Sequence, residues 1–341
     1  MADRIPVLIT VEFSDALLDT FRAVSERIEL YYYPARTAED VPDDIWARAE
    51  VLYTSAAIPD PREAPNLRWI HVHSAGVDHL LTQPIAETEQ IVITNASGIH
   101  ATNMAEYAFM MMLALGHRLL DALRLQSAAE WASGEKWQAL IPLELRGSTL
   151  GIVGYGSIGR EIARLANAFG MTVLAVKRDV LTPSDDLNYA LPGTGDPTGD
   201  LFSRLYPPEA LCTMVRECDF VVITTPLTEA TRQMFDADAF ASMKPTAYLI
   251  NVGRGGVVDE DALLAALRAG TIAGAAMDVF AAEPLPADSP LWKQPNLIIT
   301  PHISGMSSAY AEKAAALFVE NLTRYVARRD LLNVVDRSQG Y

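Results

Sequence analysis

The stretch STLGIVGYGSIGREIARLANAFGMTVLAVKRD (148–179) decides the fold of this chain. It predicts a buried strand, a glycine-rich turn, a helix over 157–169 and a second strand that ends on two positive charges. A strand that enters a helix through G-x-G-x-x-G and is followed by another strand is typical of a dinucleotide-binding α/β unit. The order of the elements carries this prediction, because the glycine spacing alone is a weak signal.

The glycine-rich turn predicts a site for a pyrophosphate. Its first glycine permits a tight turn, its second lets the main chain approach the phosphates, and its third lets the helix pack closely on the strand. The N-terminus of the following helix offers free N–H groups and a partial positive charge. The predicted cofactor-binding residues of this turn are Gly154, Tyr155, Gly156, Ser157, Ile158 and Gly159.

Two cations stand at the end of the second strand, where an NAD site normally has a carboxylate that binds the ribose 2′-OH. Lys177 follows Gly159 by 18 residues, and Arg178 comes next. A carboxylate here would repel a 2′-phosphate, whereas these side chains attract one. We therefore expect NADP(H) to be preferred, with NAD(H) also possible. The alternative is a pair of solvated charges beside Asp179, with little discrimination between the two cofactors.

Composition excludes several classes of function. The chain has 341 residues, which favours two domains, and a net charge of -16, which argues against nucleic acid or an anionic membrane as partner. Cys212 and Cys218 form no C-x-x-C pair, and the start MADRIPVLITVEF lacks the pattern of an export signal. The most apolar helix falls short of the ~20 residues that span a bilayer. A cytoplasmic location is expected.

Short apolar runs alternate with helical segments along the chain, a pattern that predicts parallel sheets covered by helices. The runs in the first hundred residues are PVLITVEF, IELYYYP, AEVLYTS, LRWIHVHS and IVITNAS. Ser14 is a candidate N-cap for the first helix. Long helices are predicted over 101–127 and 307–328. The segment 182–209, rich in Pro, Gly and Asp, predicts a surface loop, with a lid or a partner contact as the alternative.

Three later strands each lead to a residue that could carry chemistry. Arg254 follows AYLINVG, Glu283 follows GAAMDVF, and His302 follows NLIITP. Ligands of such sheets bind beyond the carboxyl ends of the strands, so we expect these side chains to converge. Taken singly, the three could be a loop cation, a surface charge and a structural histidine.

These segments, together with GYGSIGRE, SAGVD, TTPLT and SPLWKQPNLIITPH, resemble the D-isomer-specific 2-hydroxyacid dehydrogenase family. The resemblance extends from about Trp69 to Ile303. It implies that Arg254 binds the carboxylate of a 2-oxo acid and polarises its carbonyl, for which a forked guanidinium is well suited. It also implies that His302 donates the proton to the developing alkoxide, while Glu283 favours the imidazolium and orients the ring.

The resemblance implies further contacts. Thr225 and Pro226 are expected to run under the cofactor, with Val252 and Gly253 as main-chain neighbours of the nicotinamide ribose. Asp278 is expected to bind the nicotinamide carboxamide, with a strand-end cap as the alternative. The remaining predicted substrate contacts are the backbone N–H groups of Ala75, Gly76 and Val77.

The predicted fold is α/β, with two Rossmann-like doubly wound domains and a cleft between them. A flavodoxin-like substrate domain takes 1–100 and is completed by 304–341, and an NAD(P)-binding domain takes 101–303. In the family, the region of Trp131 and Trp137 forms an arm across a dimer, so a homodimer is expected. His71 and His73 lie on one strand face without an evident third ligand, and no metal is predicted.

The predicted activity is reversible reduction of a small 2-oxo acid, of the glyoxylate, hydroxypyruvate or pyruvate type, to the D-2-hydroxy acid. Two alternatives remain at this stage. Formate and phosphonate dehydrogenases share the scaffold, and a substrate panel would separate them. Some relatives act as dinucleotide-sensing corepressors, but the sequence has no obvious partner-binding tail.

Overall fold

The computed structural model describes residues 4–184 and 188–337, so positions 185–187 of the predicted loop lie outside the described residues. The described chain forms two compact units. One comprises the residues through Ile99, then Asn188 and Tyr189, and the chain from Ser307 onward. The other comprises the remaining residues from 100 to 306. The second unit ends at 306, three residues later than the predicted 303. Asn188 and Tyr189, from the predicted 182–209 loop, were not expected in the first unit.

The first unit is built on a five-stranded, all-parallel sheet of order β2-β1-β3-β4-β5. Its strands are β1 (Ile5–Ile9), β2 (Ile28–Tyr32), β3 (Val51–Thr54), β4 (Trp69–Val72) and β5 (Val92–Thr94). Helices α1 (Asp15–Arg22), α2 (Asp43–Trp46) and α3 (Asp78–Leu81) lie between them. Ser14 occupies the N-cap position of α1, but its side chain makes no capping hydrogen bond.

The second unit holds a seven-stranded parallel sheet of order β12-β11-β10-β9-β6-β7-β8. Its strands are β6 (Thr149–Val153), β7 (Thr172–Val176), β8 (Arg204–Tyr206), β9 (Phe220–Ile223), β10 (Tyr248–Asn251), β11 (Gly274–Met277) and β12 (Leu297–Ile299). Strands β7 and β8 lie on one side of β6, and β9 to β12 lie on the other side. The strand order therefore reverses between β6 and β9. Open α/β sheets bind ligands at such a switch point.

The second unit differs in two places from the prediction. Its helices are α4 (Ala101–Gly116), α5 (Leu119–Ser127), α6 (Glu135–Gln138), α7 (Ser157–Ala168), α8 (Leu211–Val215), α9 (Ala237–Ser242) and α10 (Glu260–Ala269). The single helix predicted over 101–127 is wrong, because Arg118 adopts a left-handed conformation with φ +55° and separates α4 from α5. The 182–209 segment is not all loop, because β8 adds to the sheet edge beside β7.

The C-terminal helix α11 (Tyr310–Val326) belongs to the first unit and completes its core. Its Phe318 lies among the rings of Phe21, Tyr53 and Trp69, at centroid distances of 5.1, 4.7 and 5.3 Å. Each such aromatic contact contributes roughly 0.5–1.5 kcal/mol beyond the burial of area. None of the described helices combines the length and apolar character that a membrane crossing requires.

Candidate active site

The glycine-rich turn follows β6 and has the shape that a dinucleotide requires. Gly154 has φ +104°, and a Cβ on Gly159 would lie 2.2 Å from the carbonyl oxygen of Gly154, so neither position tolerates a side chain. A Cβ on Gly156 would meet nothing within 4 Å. The turn thus combines a tight bend and close helix packing with an open position where phosphates can approach the main chain at the N-terminus of α7.

Two further predicted cofactor segments lie against this turn. A Cβ on Gly154 would lie 3.0 Å from the main-chain nitrogen of Thr225, and one on Gly253 would lie 2.6 Å from the carbonyl oxygen of Thr225. The Thr225 hydroxyl oxygen is buried and has no hydrogen-bond partner among the described residues. Val252 is buried beside Gly253, and Pro226 follows Thr225 with its carbonyl bound to the Thr231 hydroxyl at 2.7 Å. An orphaned buried hydroxyl beside an open glycine turn fits a bound dinucleotide.

The two predicted phosphate-binding cations follow β7 directly. The Lys177 main-chain N–H bonds Tyr206 of β8 at 3.0 Å, and its ammonium donates to the carbonyl of Thr182. Arg178 is exposed. Hydrogen bonds from the Thr182 side chain and the Leu181 N–H lower the pKa of Asp179. The main hydrogen bonds of the Asp179 carboxylate are therefore with Leu181 and Thr182. The positive charge of Lys177 has only a minor effect on the pKa of Asp179.

The segment after Lys177 is tied to the glycine-rich turn by a buried carboxylate that the sequence analysis missed. Asp196 accepts the Tyr155 hydroxyl at 2.7 Å and the N–H groups of Gly199 and Leu201 at 3.1 and 3.0 Å. The Arg160 guanidinium lies 4.9 Å from the centre of the Tyr155 ring. The side chain of Tyr155 is thus committed to Asp196, which leaves its main chain for the predicted cofactor contact. The signal in the sequence was Asp-Pro-x-Gly, a typical turn.

The three predicted catalytic residues follow neighbouring strands: Arg254 follows β10, Glu283 follows β11 and His302 follows β12. Glu283 Oε2 lies 2.7 Å from Nδ1 of His302, and its Oε1 accepts the Phe280 N–H at 2.9 Å. A carboxylate at Nδ1 fixes the ring and leaves Nε2 as the nitrogen for proton exchange.

The turn that carries Arg254 packs directly on the segment bound by Glu283. A Cβ on Gly255 would lie 1.9 Å from the carbonyl carbon of Phe280, so the two main chains are in contact there. The Arg254 guanidinium is half-buried and donates to the carbonyl of Gly253 at 2.8 Å. Gly255 was not singled out from the sequence, although the repeat G-R-G-G signals a close approach of main chains.

Asp278 has partners other than the predicted nicotinamide. Its fully buried carboxylate accepts the N–H groups of Ile303 and Ser304, both at 2.9 Å, and the Thr300 hydroxyl at 2.6 Å. Its carbonyl accepts the N–H of His302 at 2.8 Å. His302 itself has φ +53°, a strained conformation of the kind that clusters at functional sites. Asp278 therefore holds the His302 loop, and its contact with the nicotinamide stays a prediction.

The predicted substrate turn lies in the first unit, directly after β4. The carbonyl of Ala75 accepts the Asn95 amide at 2.9 Å, and the carbonyl of Gly76 accepts the Ser74 hydroxyl at 2.7 Å. Val77 is buried at the start of α3. These bonds anchor the turn through its carbonyls, and the use of its N–H groups for a carboxylate stays a prediction.

His71 on β4 and His73, directly after β4, each have a hydrogen-bond partner at Nδ1. Nδ1 of His71 lies 2.8 Å from the Thr94 hydroxyl, and burial lowers the pKa of His71 to about 3. Nδ1 of His73 lies 2.6 Å from the Tyr53 hydroxyl. Within residues 4–184 and 188–337, no group of three His, Cys, Asp or Glu side chains comes together as a metal site requires.

Comparison with known proteins identifies the family. The model of the D-isomer specific 2-hydroxyacid dehydrogenase, NAD binding domain, matches residues 109–304, which is more than half of the chain. The chain belongs to the D-isomer specific 2-hydroxyacid dehydrogenase family. The family resemblance and the two Rossmann-like α/β domains expected from the sequence are thereby confirmed.

Individual members of this dehydrogenase family match over most of the chain. It is 37% identical to the (S)-sulfolactate dehydrogenase of Chromohalobacter salexigens, over 78% of this chain and 79% of that one. It is 34% identical to the glyoxylate reductase of Korarchaeum cryptofilum, over 77% and 74%. A family member from Xanthobacter autotrophicus, solved in complex with NADPH and MES, superposes with a TM-score of 0.80 and 28% identity over 100% of both chains.

Family membership assigns the chemistry in outline. The chain is an oxidoreductase of small 2-oxo and 2-hydroxy acids that uses a nicotinamide dinucleotide. The switch point and the open glycine turn lie in the unit that contains the matched region.

Proposed function

We propose that the protein reduces a small 2-oxo acid, of the glyoxylate, hydroxypyruvate or pyruvate type, to the D-2-hydroxy acid, with NADPH preferred and NADH possible. The observation that carries the proposal is the 2.7 Å contact between His302 and Glu283, on a loop packed against the turn of Arg254. The reaction is reversible, since the same imidazole can accept the proton of the alcohol.

In this proposal Arg254 binds the substrate carboxylate and polarises the adjacent carbonyl through its forked donors. The bound reduced nicotinamide supplies the hydride. As the carbonyl oxygen gains negative charge, His302 gives it the proton held on Nε2. Glu283 stabilises the imidazolium that precedes this transfer and prevents the ring from turning.

The preference for NADPH is supported by two observations. Lys177 and Arg178 stand directly after β7, where a carboxylate would select NAD(H). The relative from Xanthobacter autotrophicus was solved with NADPH. The residues proposed to hold the cofactor are the glycine-rich turn, these two cations, Thr225 and Pro226, and the main chain of Val252 and Gly253.

A small substrate is supported by the glyoxylate reductase relative. The sulfolactate dehydrogenase relative gives a specific reason to test a second substrate, 3-sulfopyruvate, which carries an additional anionic group. Both are 2-oxo acids, so Arg254 and His302 would act on them in the same way.

We also propose that the protein is a cytoplasmic homodimer. Exposed apolar side chains recur along α4, α5 and the region of α6, including Met110, Leu123 and Trp137 at 51%, 47% and 56% exposure and Trp131 at 94%. Apolar surface of this kind is typical of an interface. A dimer mass by light scattering, lost on Trp131→Ser with Leu123→Ser, would support the proposal, and a monomeric wild type would contradict it.

The decisive experiment for the activity follows absorbance at the nicotinamide band. NADPH and NADH are each tested with glyoxylate, hydroxypyruvate, pyruvate and 3-sulfopyruvate, and NADP⁺ and NAD⁺ are tested with formate and phosphite. We expect turnover with at least one 2-oxo acid, fastest with NADPH, and none with His302→Asn. Turnover of formate or phosphite alone would support the alternative dehydrogenases. Dinucleotide binding without any turnover would favour the corepressor.

A further inference from the structure

Three hydrogen-bonded side chains connect helix α4 to the loop that carries His302. The Tyr107 hydroxyl bonds the Thr300 hydroxyl, which in turn lies 2.6 Å from Oδ1 of Asp278. Tyr107 and Thr300 are half-buried, and Asp278 is fully buried. The chain therefore runs from partly exposed hydroxyl groups to a fully buried carboxylate, where a hydrogen bond is stronger than in water.

The direction of these hydrogen bonds follows from the donors available. An ionised carboxylate only accepts, so Thr300 gives its one hydroxyl proton to Asp278. The Thr300 oxygen must then accept from Tyr107, which acts as the terminal donor. Burial raises the pKa of Tyr107 to about 12, so the phenol keeps its proton at the pH of any ordinary assay.

The hydrogen-bond chain ends at Asp278, which fixes the conformation of His302. Asp278 binds the N–H groups of Ile303 and Ser304 through its carboxylate and that of His302 through its carbonyl. These bonds hold His302 in its left-handed conformation, which a non-glycine residue keeps only when its surroundings impose it.

Other residues on the same side of α4 also bind this loop. The Asn103 amide donates to the carbonyls of Ser304 and Met306 at 2.7 and 3.1 Å, and Nδ1 of His100, just before α4, lies 3.0 Å from the carbonyl oxygen of Gly305. Positions 100, 103 and 107 follow helical spacing along one face. The first turns of α4 thus support the loop from 300 to 306, and Tyr107 is linked to Asp278 through Thr300.

We propose that Tyr107 is a positioning residue for catalysis, acting through Thr300 and Asp278 to hold the His302 imidazole where it transfers its proton. The proposal rests on the proposed function of His302. It assigns a role in the reaction to a residue of helix α4 that acts through Thr300 and Asp278.

The first test compares two tyrosines that each lose one hydroxyl. Tyr107→Phe should lower kcat about five- to fiftyfold, the scale expected for a small misplacement of a catalytic group. The KM for NADPH and the melting temperature should change little. Tyr248→Phe is the matched control, because the Tyr248 hydroxyl is buried without a partner among the described residues. Equal kcat values for Tyr107→Phe and the wild type would overturn the proposal.

The second test asks whether Tyr107 acts through Thr300. Thr300→Ser keeps the hydroxyl and should retain most of kcat, whereas Thr300→Val keeps the shape but breaks the chain and should lower kcat at least as much as Tyr107→Phe. In the Thr300→Val background, the further change Tyr107→Phe should have no effect. Independent, multiplicative losses in the double variant would contradict the proposal.

A readout without turnover separates this inference from the proposed function. The imidazole NMR signals of His302, assigned with His302→Gln, should shift or broaden in Tyr107→Phe and in Thr300→Val. They should stay in place in Tyr248→Phe and Thr300→Ser. Unchanged signals in all four variants would overturn the positioning role even if the enzyme proves active, and shifted signals would support the coupling even if the substrate is misassigned.

Discussion

Glu283 Oε2 lies 2.7 Å from Nδ1 of His302, although the two residues follow different strands. Both side chains are partly exposed, at 36% and 50%, so the contact is accessible to a substrate. Exposed ion pairs contribute little to folding. In the proposed mechanism, the contact instead orients the His302 ring and stabilises its charge during proton transfer.

The carboxylate of Glu283 is therefore expected to matter for rate. Glu283→Gln keeps the shape but removes the charge that stabilises the imidazolium, and should lower kcat for 2-oxo acid reduction about 10²-fold. Steady-state kinetics at saturating substrate and cofactor measures kcat, and an unchanged value would contradict the assigned role.

The guanidinium of Arg254 should be required for turnover but not for cofactor binding. Arg254→Ala removes the partner of the substrate carboxylate and should lower kcat/KM by about 10³-fold or more. Arg254→Lys should recover little, because an ammonium lacks the forked geometry. Quenching of intrinsic fluorescence by NADPH should give the same dissociation constant in all three proteins. Full turnover in Arg254→Ala would refute the role.

Lys177 and Arg178 should decide between the two cofactors. The double variant Lys177→Ala, Arg178→Ala loses two charges that attract a 2′-phosphate, each worth about 1 kcal/mol or more. We expect the KM for NADPH to rise at least tenfold while the KM for NADH changes less than threefold. Arg268→Ala, at an exposed position in the last turn of α10, is the control for general charge effects. Parallel increases for both cofactors would count against selection at this site.

Asp196 should stabilise the glycine-rich turn. Asp196→Asn weakens the bond to the Tyr155 hydroxyl and leaves a buried amide among N–H donors, which costs roughly 1–3 kcal/mol. We expect a lower melting temperature and a higher KM for NADPH, with kcat at saturating cofactor retained. Asp200→Asn, at an exposed neighbouring position, is the matched control and should leave both unchanged. Identical behaviour of the two variants would show that the turn does not depend on Asp196.

His71 should make stability depend on pH. Burial lowers the pKa of His71 from 6.5 to about 3, so below pH 6.5 the unfolded chain binds a proton that the folded chain excludes. The free energy of unfolding therefore falls with decreasing pH between these values, by up to about 1.4 kcal/mol per pH unit from this group. Denaturant unfolding from pH 7 to pH 4 should show a smaller decrease for His71→Asn than for the wild type.

The exposed His79, whose Nε2 lies 2.9 Å from the carbonyl oxygen of Ser55, supplies the comparison for that measurement. His79→Gln should retain the full pH dependence of the wild type. If His71→Asn and the wild type lose stability in parallel, the buried imidazole is not the source.

Local sequence was sufficient for the glycine-rich turn and for the strands on either side of α7. Glycine is required at 154 by its positive φ and at 159 by the carbonyl of residue 154, and a short motif encodes both directly. Arg254, Glu283 and His302 could also be selected, because parallel strands place their carboxyl ends along one edge and each residue closely follows such an end.

Tertiary structure alone decided the rest. The edge strand β8, the bond from Tyr155 to Asp196 and the chain from Tyr107 to Asp278 each depend on residues far apart in sequence. No local pattern specifies which distant donor reaches a buried carboxylate. Packing excludes water from the interior, so each buried polar group must form its hydrogen bonds with residues that the tertiary fold places next to it.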